Sequence, residues 1–172
     1  MWHSAAYRSG QFFRGFRWAL GPDEVARVCA LLNERERLLF VGMQGRDRRH
    51  SMDMITWLDR RGAVVGRPPP NDLLVAALLH DVGKGPLTVT DRIVFVLLGA
   101  VSLRLRRALG REQGPRWRRA LWRLEHHARL GADLLEQAGA SPRVVDLVRR
   151  HKDDDPHGDE DLRMLIAADG AS

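Results

Sequence analysis

Cysteine is nearly absent from this 172-residue sequence: Cys29 stands alone, so no internal disulfide and no cysteine-rich zinc cluster can form. A reducing compartment, the cytoplasm, is the expected setting. Lysine is nearly as scarce, because Lys84 and Lys152 are the only two among 28 basic residues. No stretch reaches the ~20 apolar residues that a membrane span needs. The longest, Ile93 to Leu103, has 11 positions between Arg92 and Arg104, and its composition predicts a buried helix. Strictly alternating runs rich in β-branched residues are missing as well, which leaves an all-α fold as the expectation.

What is present fits one globular domain, with 44% hydrophobic and 29% charged residues, and a chain of this length buries roughly 70% of its unfolded surface without a disulfide. The net charge of +6 is local. Residues 104–123 carry Arg104, Arg106, Arg107, Arg111, Arg116, Arg118, Arg119 and Arg123 against Glu112 alone, so this stretch holds +7 and the rest of the chain −1. The N-terminus gathers Trp2, Tyr7, Phe12, Phe13, Phe16 and Trp18 among Arg8, Arg14 and Arg17. It lacks the continuous apolar core of a secretory signal. An arm folded on the domain is expected there, with an interfacial membrane anchor as the alternative.

Gly, Pro and Asn or Asp punctuation divides the chain into seven or eight helices. The first opens at Gly21-Pro22-Asp23-Glu24, with proline at its first position and acids in its first turn, and is expected to run to about Phe40. The second covers about Asp47 to Arg61, ahead of the stiff Pro68-Pro69-Pro70 connection. A strongly apolar third, Asp72 to His80, follows Asn71 as its cap and belongs in the core. A fourth starts at Thr90 or Asp91 and enters the arginine stretch. A fifth spans about Arg116 to Glu125 and a sixth about Ala128 to Ala138. Ser141-Pro142 opens a seventh that reaches His151, and a last one begins near Asp159.

Helical periodicity then says where the polar residues face. His50 lines up with Met54, Trp57 and Leu58; His80 follows Ala76 and Ala77; His127 precedes Leu130, Gly131, Leu134 and Leu135. His151 ends the face Val144, Leu147, Val148, and Asp169 ends the face Leu162, Leu165, Ile166. Asp81 adjoins His80 at the turn before Gly83. One such histidine needs only a backbone carbonyl, but four histidines and two aspartates aimed at a core demand compensation, since burying each unpaired costs on the order of several kcal/mol. Imidazole and carboxylate without thiolate suit iron, manganese, zinc, nickel or cobalt, and six donors could hold two ions around a shared carboxylate.

The string His80-Asp81-Val82-Gly83-Lys84 after an apolar helix resembles the HD superfamily of metal-dependent phosphohydrolases. So do Arg49-His50-Ser51, the histidine helix His127-Ala128-Arg129-Leu130-Gly131-Ala132, Arg149-Arg150-His151 and Ala168-Asp169, in the family's order over roughly residues 45–169. His126 is the alternative to His127 at the third block. The resemblance implies an HD-type helical bundle over residues 41–172, preceded by an arm and first helix at 1–40, with the arginine-rich stretch at about 104–123 as an insertion. It implies one or two divalent ions (Fe, Mn, Mg, Ni, Co or Zn), the first held by His50, His80, Asp81 and Asp169 and the second by Asp81, His127 and His151. A metal-activated water would attack phosphorus, with Asp81 and Lys84 in catalytic roles, Lys84 reaching a nonbridging oxygen.

The expected partner is a small phosphorylated substrate, a nucleotide above all. The cyclic di-GMP subgroup carries a Gly-Tyr-Pro motif, and the single tyrosine here, Tyr7, is far from any proline. Two other readings stay open: a dinuclear-iron oxygenase on the same ligands, and a noncatalytic HD-fold signalling module. The arginine stretch could serve a nucleotide's remaining phosphates, RNA or anionic lipid. Trp117 and Trp122 lie five positions apart, too far around a helix for one stacking platform, which disfavours nucleic acid.

Overall fold

The computed structural model describes residues 20–172. The aromatic arm expected to fold on the domain lies outside the described residues. Among them the fold is all-α: α1 (Pro22–Leu31), α2 (Glu34–Gly42), α3 (Gly45–Val65), α4 (Asn71–Leu79), a 3-10 turn (Val82–Lys84), α5 (Val89–Val101), α6 (Leu103–Leu109), α7 (Arg116–Ala138), α8 (Pro142–Arg150) and α9 (Glu160–Ala171). No described helix is long and apolar enough to cross a membrane.

α4 is the axis of the molecule. Its seven residues Leu73 to Leu79 are all buried, as a helix apolar on every side requires, and it packs against α1, α2, α3, α8 and α9. The main core gathers Val28, Phe40, Met54, Leu58, Leu135, Leu147, Leu162 and Leu165 around it. Because α4 ends at Leu79, the chain delivers His80 and Asp81 into the middle of this core. Just beyond, the 3-10 turn rests directly on α7: a Cβ on Gly83 would lie 2.1 Å from the His127 carbonyl oxygen and 2.5 Å from the Gly131 nitrogen.

The second helix runs past Gly62 to Val65, and Pro70 rather than Asn71 is the cap of α4; three divisions differ further from the sequence expectation. The first helix breaks after Leu31, because Asn33 forms a new cap: its side chain accepts from the Arg35 and Glu36 amides while the Glu36 carboxylate accepts from the Asn33 amide, a reciprocal capping box. The fourth breaks at Ser102, whose extended backbone (φ −164°) ends α5 and whose hydroxyl caps α6. The fifth and sixth are one helix, since Glu125-His126-His127 contains neither Gly nor Pro and α7 runs unbroken for 23 residues.

One packing expectation is overturned. The Ile93 to Leu103 run is helical apart from Ser102, but it is not buried: Val89, just ahead of it, and Ile93, Val96, Leu97 and Val101 are all more than half exposed. Only the opposite edge packs, where Phe95 meets Leu87, Ala120 and Leu124 in a small satellite core. The α5–α6 pair contacts the rest of the described fold mainly through α7, so one side of an apolar helix is left without a cover among the described residues.

Candidate metal centre

His50 comes from α3, His80 and Asp81 from the end of α4, His127 from the middle of α7, His151 from the end of α8 and Asp169 from the last turns of α9. Five distant segments thus meet where α4 stops. Their donor atoms fall into two groups, His50 with His80 and Asp169, and Asp81 with His127 and His151, each within 4.8 Å of one another. Lys84 joins them, its Nζ lying 2.5 Å from Asp81 Oδ2. His126 does not: its ring stacks on Trp122 at 4.7 Å between centroids, and its Nδ1 donates to the Trp122 carbonyl at 2.8 Å.

The histidines are oriented by one repeated contact. His80 Nδ1 donates to the Ala77 carbonyl at 3.0 Å, His127 Nδ1 to the Leu124 carbonyl at 2.8 Å, and His151 Nδ1 to the Val148 carbonyl at 2.6 Å. A carbonyl only accepts, so in each ring Nδ1 carries a proton and Nε2 is turned toward the centre, the arrangement usual behind a metal-binding imidazole. His127 Nε2 and His151 Nε2 then face each other at 3.3 Å. Two lone pairs at that distance repel unless a cation lies between them.

The carboxylates complete the pattern. Asp81 Oδ1 stands 3.4 Å from His80 Nε2 and 3.5 Å from His127 Nε2, so it faces both groups. Asp169 Oδ1 lies 3.0 Å from His50 Nε2 and 3.5 Å from His80 Nε2. Neither His80 Nε2 nor Asp81 Oδ1 completes a hydrogen bond, although both atoms are buried. Donors bound ~2.0–2.2 Å from one ion, and adjacent around it, are themselves roughly 3.0–3.5 Å apart. The separations here have that size, so the residues present fit a divalent cation.

Electrostatics favour the same occupant. Burial works against a charge on His127 and holds its pKa down to about 4; burial, with His80 and His127 nearby, holds His151 down to about 3. Both are neutral near pH 7, as ligation requires. His80 is opposite in sign: burial again opposes its charge, but the Asp81 and Asp169 carboxylates outweigh it and raise the pKa to about 9. Burial likewise opposes ionisation of Asp81 and Asp169, yet their cationic neighbours hold both well below the usual carboxylate range. A proton on His80 thus stands where cation charge is called for.

Lys152 was not singled out as a site residue in the sequence, yet its Nζ lies 2.5 Å from Asp169 Oδ2. Each inner carboxylate therefore turns one oxygen to the histidines and the other to a lysine. The available signal was composition: in a chain whose other 26 cations are arginine, both lysines stand at this centre.

No curated protein and no solved structure matches the chain. The sequence pattern of the HD domain family matches residues 22–169, from the start of α1 to Asp169, a span that takes in all six converging histidines and aspartates. The chain belongs to the HD domain family.

Proposed function

We propose that this protein is a metal-dependent phosphohydrolase that cleaves a phosphate ester or anhydride of a nucleotide or related small molecule. The observation that carries the reading is the facing pair of His127 and His151 lone pairs at 3.3 Å, with Asp81 Oδ1 unbonded beside them. A cation bound there would relieve both the repulsion and the unmet carboxylate oxygen. His50, His80 and Asp169 would hold one ion, His127 and His151 a second, with Asp81 between them. Divalent ions bound there supply Lewis acidity, lowering the pKa of coordinated water toward neutrality and drawing off charge from phosphoryl oxygens.

The chain's own residues do the positioning. The three Nδ1–carbonyl bonds keep the imidazoles from turning, and Lys84 and Lys152 hold the outer carboxylate oxygens. Lys84, 16% exposed at its side chain, can exchange its bond to Asp81 for a phosphoryl oxygen and so serve as a point charge at the substrate. Burial of His80, Asp81, His127 and His151 strengthens the interactions that those four residues make.

The test is phosphate release from a panel of nucleotides and phosphomonoesters by protein loaded with Mn, Fe, Co, Ni, Zn or Mg. Turnover with at least one metal, abolished in Asp81→Ala, is the expected result. A metal-loaded protein that binds such esters without cleaving any would instead favour a noncatalytic module.

A further inference from the structure

A second cationic feature lies outside the six converging residues. Arg116, Arg119 and Arg123 occupy positions i, i+3 and i+7 of α7 and so share one face. With Pro86, Leu87 and Ala120 they line a cavity of about 250 Å³. Leu87 and Ala120 are buried and give it an apolar floor, while every charged side chain that lines it is a guanidinium. Arg116 has one acidic partner, Asp91, at 2.8 Å. Arg119 and Arg123 have none among the described residues.

This is an unfavourable place for three cations. Like charges three and four residues apart on a helix repel, and Arg116 and Arg119 lie at the end of α7 where the helix dipole already disfavours positive charge. An anion brought to the cavity would relieve both effects. One of its lining residues, Arg123, also packs on the segment that leaves the metal centre. Gly85, directly after Lys84, has φ +59°, and a Cβ there would lie 2.3 Å from Arg123 Nη1, so the guanidinium packs on bare backbone. Along the same face of α7, Arg123 precedes His127 by one turn, roughly 6 Å, and Arg116 precedes it by roughly 16 Å.

The volume falls below the ~300 Å³ at which pockets begin to enclose a drug-sized ligand, so the cavity suits phosphate groups rather than a base with its sugar. We propose that it binds the oligophosphate portion of a substrate carrying two or more linked phosphates, one phosphoryl group at the His/Asp centre and the following ones leading from Arg123 toward Arg119 and Arg116. The inference rests on the phosphohydrolase reading and narrows its substrate class. Guanidinium groups suit the role because each can offer two parallel N–H donors to phosphate oxygens.

The probes are inorganic tripolyphosphate and orthophosphate, titrated calorimetrically into the full chain, with metal content measured before and after. Wild-type protein should bind tripolyphosphate at least about tenfold more tightly than orthophosphate. Arg119→Gln, at an exposed position with no partner to lose, should reduce that preference, and Arg119→Gln/Arg123→Gln should bring the two anions within about threefold. Arg104→Gln, an exposed arginine outside the cavity, should leave the preference intact. No preference in wild type, a preference unchanged in the double variant, or an equal loss in Arg104→Gln would each overturn the assignment. The same titration on Asp81→Ala separates this inference from the reading beneath it. A preference that survives there supports the cavity whatever the protein hydrolyses, whereas a metal-loaded chain that cleaves monoesters without any arginine-dependent preference overturns the cavity alone.

Discussion

At the scale of the residue, the bonds from His80, His127 and His151 to carbonyls three residues back fix the proton on Nδ1 before any ligand arrives. The adjacent histidines of α7 provide a direct comparison. His126 points to Trp122 and His127 to the centre, so His126→Ala should leave metal content unchanged while His127→Ala lowers it, read by elemental analysis of the purified variants. The pKa shifts give a second expectation for metal-stripped protein. His80 is raised from 6.5 to about 9, so its contribution is complete below pH 6.5 and is lost as pH rises through 9. His127 and His151 are lowered to about 4 and about 3, so protonation of their unfolded counterparts destabilises the fold as pH drops below 6.5. Melting temperature without metal should therefore peak near pH 6.5 and fall on both sides. Loading metal, which displaces the His80 proton, should flatten the alkaline fall. A melting temperature that climbs steadily from pH 6.5 to 9 in stripped protein would contradict these shifts.

At the scale of the element, the centre depends on how closely the 3-10 turn lies on α7. Gly83 has no room for a Cβ against the His127 and Gly131 backbones, and backbone cannot swing aside as a flexible side chain can. Gly83→Ala should separate Asp81 from His127, costing about 1–3 kcal/mol or more in denaturant unfolding and lowering metal content together with stability. Retention of both would mean the turn is looser than drawn. The sequence made much of this legible. The apolar composition of α4 marked it as the central helix, and the faces of His50, His127, His151 and Asp169 were readable from 3.6-residue periodicity, because these residues continue stripes that must face inward. The Asn33 cap was not, because Leu31-Leu32 continues an apolar stripe and only the reciprocal Asn33–Glu36 bonds disclose the break. Lys152 escaped for a related reason: it follows the last turn of α8, where periodicity no longer says which way a side chain points.

At the scale of the whole molecule, charge and apolar surface are both unevenly spread. The cationic stretch lies on α6 and the first turns of α7, where Arg106 stacks over the Phe95 ring at 4.0 Å, on the packed edge of α5. Composition alone misled here, since a helix apolar all round is normally buried, whereas α5 packs through its Phe95 edge and leaves Val89, Ile93, Val96, Leu97 and Val101 outward. Leu97→Gln should accordingly change unfolding free energy by no more than about 0.5 kcal/mol. A loss of several kcal/mol in chemical denaturation would show that this face is covered in solution. The histidine and aspartate centre, by contrast, ties α3, α4, α7, α8 and α9 together at one point, so a bound cation should stabilise the fold as a whole. The most direct test is elemental analysis of purified wild-type protein beside Asp81→Ala. The account expects about one or two equivalents of a divalent metal per chain in the wild type, largely lost in the variant. Equal metal content in the two proteins, or none in the wild type after anaerobic reloading, would contradict it.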